Sequence, residues 1–165
     1  MLLEFSFANF LSFKDKVTFS MVATSLKDRK VDSADTTFSA GGEVSIVLSR
    51  ACAVFGANAS GKSNLIKAMA FFKWFVMNSS KDVQAGEKIP VHSFALSASS
   101  VTEPSLFEIV ILIDEDTYRY GFETSAETVH REWLYVKAGK KRSKEIELFY
   151  REENKYELHP RFSIG

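Results

Sequence analysis

The 165-residue sequence predicts an α/β fold of α+β-like character, one strand–loop–helix unit combined with a mainly antiparallel β subdomain. Three observations predict it. Gly56 to Ser63 read G-A-N-A-S-G-K-S, the pattern G-x-x-x-x-G-K-[ST] of a phosphate-binding loop. The apolar run Ala51–Phe55 precedes the loop, and Leu65, Ala68, Met69, Phe72 and Val76 follow it at helical spacing. Elsewhere many of the 15 phenylalanines fall at alternating positions, which indicates strands with one buried face.

Taken in order, Leu3, Phe5 and Phe7 alternate with polar residues and predict a half-buried first strand. Asn9 to Asp15 interrupt it, and Val17, Phe19 and Met21 resume the alternation in a second, antiparallel strand. Residues 24–42 are polar, end in Gly41-Gly42 and read as a loop. Val44, Ile46 and Leu48 make a third strand that runs on into Ala51–Phe55, where Cys52 is expected in the core. The helix is expected from about Asn64 to the stop Asn78-Ser79-Ser80. Residues 81–105, with Pro90 and Pro104, read as a connector anchored by Phe94.

From Leu106 onward the pattern is strand. Phe107–Ile113, a turn at Asp114–Thr117, and Tyr118, Tyr120 and Phe122 describe one hairpin. Thr128–Lys137, a basic tip over 138–144 and Ile146–Arg151 describe a second, before a turn at Asn154 and Tyr156-Leu158. Four segments result: strands and loop over 1–50, phosphate loop and helix over 51–80, connector over 81–105 and hairpins over 106–165.

Formal net charge is zero, so composition supplies no argument for nucleic acid or a membrane surface. A single cysteine permits no disulfide within the chain, which fits a reducing cytoplasm. No run approaches the roughly 18 apolar residues that a membrane span needs, and Met-Leu-Leu-Glu does not open a signal peptide.

The loop carries the chemistry. Gly56 lets the chain leave the strand in a conformation that a side chain would oppose, and the N–H groups of Ala57, Asn58, Ala59 and Ser60 are expected to line a nest for phosphate oxygens. Gly61 permits close backbone approach, Lys62 is expected on the β- and γ-phosphates, and the Ser63 hydroxyl is placed to ligate Mg²⁺. The helix N-terminus, with Asn64, adds its positive end.

Other candidates weigh less. Ile109–Ile113 followed by Asp114-Glu115 has the Walker B form, which would make Glu115 a catalytic candidate that polarises water. Alternation resumes at Tyr118, so the pair is better read as a hairpin turn. Lys137, Lys140, Lys141, Arg142 and Lys144 are either a phosphate lid, a nucleic-acid contact or, preferably, a solvated tip. His92, His130 and His159 show no metal spacing, and Trp133 with Tyr135 reads as core on one strand face.

The opening LEFSFANFLSFKDKVTFSM, the loop GANASGKSNLIKAM and the run FEIVILIDEDTYRYGFE with EWLY resemble the N-terminal part of ABC-type AAA family ATPases, the SMC/RecF/OLD-related group of phage-defence and abortive-infection systems. The resemblance implies that the fold is part of an ABC-type P-loop NTPase, and that Gly56, Asn58, Gly61, Lys62, Ser63 and Asn64 bind ATP with Mg²⁺. It also implies that Asn9–Phe13 lies near the base. The signature segment, late Walker B glutamate and histidine switch of such hydrolases find no match here. The expectation is therefore a first portion completed by a missing C-terminal half or a second subunit, with a homodimer as one arrangement. A small P-loop kinase with a basic lid and a non-catalytic nucleotide-binding module are the alternatives.

Overall fold

The computed structural model describes residues 1–24, 36–78, 88–153, 155–160 and 162. Its strands are β1 (Leu2–Ala8), β2 (Val17–Ser20), β3 (Thr37–Ala40), β4 (Ile46–Ser49), β5 (Ser105–Ile113), β6 (Asp116–Thr124), β7 (Val129–Lys137), β8 (Glu145–Glu152) and β9 (Lys155–Leu158). The helices α1 (Lys62–Asn78) and α2 (Ala98–Thr102) accompany them among the described residues. The expected stop at Ser79-Ser80, the connector over 81–87 and the turn residue Asn154 lie outside the described residues.

Seven strands form one antiparallel sheet in the order β2-β1-β5-β6-β7-β8-β9. Cross-strand register sets its two faces. Phe7, Phe107 and Phe122 stand side by side, as do Phe5, Ile109 and Tyr120, and α1 packs across them. Leu65, Ala68, Phe71, Phe72 and Phe75 form the buried stripe of α1. Met69 only borders this core and Val76 is exposed, so the stripe is rotated toward the phenylalanines that stack best. Phe75 lies 3.8 Å from Phe122 between ring centroids, and Phe71 lies 4.8 Å from Phe107.

Leu3 departs from the expected face. The β1–β5 register shifts between Leu2 and Glu4, and an extra residue there sends Leu3 to the opposite side from Phe5 and Phe7. On that side Leu3 meets Leu48 and Leu112, under the two-stranded sheet of β3 and β4. The strand β3 itself falls in the segment read as loop. Its four residues acquire strand structure from pairing with β4, Phe38 opposite Leu48, and not from a pattern of their own.

The expected strand Ala51–Phe55 is absent. These residues pair with no strand among the described residues, Phe55 is 90 % exposed, and Cys52 lies on the surface instead of in the core. An apolar run becomes a strand only where a neighbour accepts its backbone hydrogen bonds, and among the described residues none reaches this one. In the connector, α2 adds a short helix. Buried Ile89 supplies the side-chain anchor, whereas half-buried Phe94 is held through its backbone N–H.

Beyond β3 and β4 the second face of the large sheet is polar. Glu108 accepts from Lys16, Arg119 and the Trp133 indole. Burial works against its charge, but Lys16 and Arg119 outweigh it and hold the carboxyl below its ordinary range. Arg119 also binds Glu145 and covers the Tyr135 ring at 4.3 Å. Burial and the bond to Glu147 push the Tyr135 phenol up to about 12. Trp133 is buried, but against Gly121 and this network rather than in the phenylalanine core. A Cβ on Gly121 would stand 2.5 Å from the indole Cζ2. Gly121→Ala is expected to lower unfolding free energy by about 1–3 kcal/mol, with a red shift of Trp133 emission, in urea titration followed by fluorescence.

Candidate functional site

The candidate site is built where β4 leads through residues 51–61 into α1. Gly56 to Ser60 are exposed, and the turn closes with the Ser60 N–H donating to Ala57 at 3.2 Å. Ala59 and Gly61 have φ of +63° and +93°. That conformation is natural for Gly61, whose absent side chain also lets the backbone sit against Phe13 and Ser12: a Cβ would meet Phe13 Cζ at 2.9 Å. Helix α1 then begins at Lys62, and the Asn64 and Leu65 N–H groups both turn back to the Gly61 carbonyl, at 2.8 and 3.2 Å.

Lys62 folds inward over the loop. Its ammonium donates to the carbonyls of Gly56 at 2.8 Å and Ala57 at 2.6 Å. A cation held inside the loop, at the positive end of a 17-residue helix, is chemistry suited to an anion with several oxygens. Ser63 stands exposed at the same helix start, where its hydroxyl is open to a hard cation brought with such an anion. The donor set therefore fits a phosphate chain with Mg²⁺. The Asn64 side chain turns elsewhere, donating to Ser12 Oγ at 2.9 Å.

Beside the loop lies an open cleft of about 270 Å³. Phe13, Val17, Phe19, Val54 and Phe55 wall it, Lys62 also lines it, and among the described residues no carboxylate does. The Asn9–Phe13 turn thus meets the loop directly. Alternation marked this turn only as an interruption between strands, while the resemblance of Asn9-Phe10-Leu11-Ser12-Phe13 placed it near the base.

The other candidates sit apart. Asp114-Glu115 is a two-residue hairpin turn between paired Ile113 and Asp116, with Asp114 at φ +53°. The turn is at the Leu2 end of the sheet, since Leu2 pairs with Ile111, whereas Phe13 and the loop are at the Phe7 end. The Glu115 carboxylate borders Gly42 there. The basic residues 137–144 share that remote end. The Gly139 N–H donates to Asp116 and the Lys141 N–H to Glu43, so the tip does not close over the loop as a lid. Its five cations remain exposed, with Glu43, Glu115, Asp116 and Glu145 around them.

The three histidines belong to separate elements, and among the described residues no group of His, Cys, Asp or Glu is arranged to hold a metal ion. No helix among the described residues is long and apolar enough to cross a membrane. A family model described as "AAA domain, putative AbiEii toxin, Type IV TA system" matches residues 52–162, more than half of the 165. No curated protein and no solved structure matches the chain.

Proposed function

The chain belongs to this AAA domain family, and from that premise we propose that it is the ATP-binding N-terminal part of an ABC-type ATPase of the SMC/RecF/OLD-related group. The observation that carries the reading is the Lys62 ammonium seated 2.6–2.8 Å from the Gly56 and Ala57 carbonyls at the start of α1. In this reading Gly56–Asn64 hold the phosphates and Ser63 the Mg²⁺, which supplies charge neutralisation when bound. The apolar cleft walled by Phe13, Phe19 and Phe55 takes the base. The biological setting is a DNA-related or phage-defence machine, in which further sequence or a second subunit, including a second copy, completes the site.

Phosphoryl transfer needs a positioned water and charge stabilisation in addition to a phosphate cradle. Among the described residues the cleft lining offers no carboxylate to orient water, and Glu115 sits at the far end of the sheet. The expected result is that the chain binds ATP–Mg²⁺ but releases phosphate barely above a Lys62→Ala background at every protein concentration, and that Glu115→Gln changes nothing. Robust turnover removed by Glu115→Gln would sink this reading and restore the Walker B assignment. A phosphorylated acceptor in place of free phosphate would favour a kinase.

A further inference from the structure

We propose that Asn9 is a positioning residue of the nucleotide site, acting through a side-chain latch from Ser12 to Asn64; the inference rests on the nucleotide reading above.

Asn9 is 5 % exposed and every hydrogen-bonding group it has is engaged. Its amide Nδ2 donates to the carbonyls of Ser100 at 2.7 Å and Glu103 at 2.8 Å. Its Oδ1 accepts from the Phe94 N–H at 3.0 Å. Its own N–H donates to the Lys14 carbonyl, and its carbonyl accepts from Ser105 Oγ at 2.5 Å. Three separate stretches (the β1–β2 turn, residues 94–103 and the start of β5) are therefore referenced to one residue, residues 94–103 through its carboxamide and the other two through its main chain. No other side chain type presents a donor and an acceptor in this planar arrangement at such a size except Asp, which when ionised lacks the donors.

The turn that Asn9 opens is itself taut. Phe10 and Phe13 exchange backbone hydrogen bonds at 2.9 Å, Leu11 has φ +51°, and the Leu11 N–H donates to the His92 carbonyl. At its apex Ser12 Oγ accepts from Asn64 Nδ2 at 2.9 Å, and Phe13 lies against Gly61. Asn64 is two residues past Lys62 in the first turn of α1. The line Asn9–turn–Ser12–Asn64 thus sets where the helix start, with Lys62 and Ser63, stands relative to Phe13 and the apolar cleft. Asn9 touches neither phosphate nor base; it fixes the distance between the groups that bind them.

A residue that merely stabilised the fold would lower affinity in any background. One that acts through the latch loses its effect once the latch is cut. The test is ATP–Mg²⁺ affinity by calorimetry on the full chain for Ser12→Ala, Asn9→Gly and the double variant, at a temperature where all are folded by circular dichroism. Glycine suits the φ of +50° at position 9. Each single variant is expected to weaken binding about 3- to 10-fold, a loss on the scale of one hydrogen bond. The double variant is expected to bind no worse than the weaker single, and Ser12→Thr, which keeps the hydroxyl, to bind as wild type does. Losses that multiply in the double variant, or wild-type affinity in Ser12→Ala, overturn the proposal while leaving the nucleotide reading intact. If Asn9→Gly does not fold, Asn9→Asp, which retains the acceptor to Phe94 and removes the donors, takes its place in the same cycle. Absence of binding by the wild-type chain overturns the nucleotide reading and this inference together.

Discussion

Lys62→Ala is expected to weaken ATP–Mg²⁺ binding by about 100-fold or more, the largest single effect on function in this chain. In the structure the ammonium is already inside the loop, bonded to two carbonyls that have no charge of their own. A phosphate chain would exchange those neutral acceptors for anionic oxygens. Charge-assisted hydrogen bonds contribute about 1.5–3 kcal/mol each, and each 1.4 kcal/mol is about tenfold in affinity, so losing two removes at least two orders of magnitude. Lys67→Ala, one turn further along α1 and lining a different cleft, is the control and should stay within about twofold. Calorimetry at fixed ionic strength reads both, and equal affinity of wild type and Lys62→Ala would show that the loop does not hold phosphates.

Phe122→Ala is expected to cost about 3–5 kcal/mol of folding stability. Phe122 is fully buried, its ring 3.8 Å from Phe75, 5.4 Å from Phe107 and 5.6 Å from Phe72. Removing it opens a void where sheet and helix meet ring on ring. The neighbours belong to two different elements, α1 and β5, and cannot all close in without breaking register. A loss of that size is a large part of the roughly 5–15 kcal/mol by which such domains are stable. Leu158→Ala on β9, half exposed, should shift stability by no more than about 0.5 kcal/mol. Urea unfolding followed by circular dichroism distinguishes them, and comparable midpoints for the two variants would contradict the packing described here.

The amino-acid sequence by itself determined the elements whose information is local. G-x-x-x-x-G-K-S places glycine and lysine at the start of the helix, where Gly61 takes φ +93° and Lys62 donates to the Gly56 carbonyl. A continuous apolar run marked β5, alternation marked β6 after it, and the four polar residues after Ile113 separated a hairpin turn from a Walker B strand, because a tight reversal demands such residues. Only the tertiary structure decided what depends on a partner distant in sequence. Leu3 changed faces because of a one-residue bulge against β5, invisible in a single strand's pattern. Thr37–Ala40 became a strand because β4 accepts its hydrogen bonds, while Ala51–Phe55, more apolar, stayed unpaired for want of one. By alternation Asn9 looked like an interruption between two strands, and the hydrogen bonds of its side chain run to carbonyls more than 90 residues away. Backbone hydrogen bonding is obligatory but its partners are not written beside it, so period fixes what a segment prefers and long-range pairing fixes what it does.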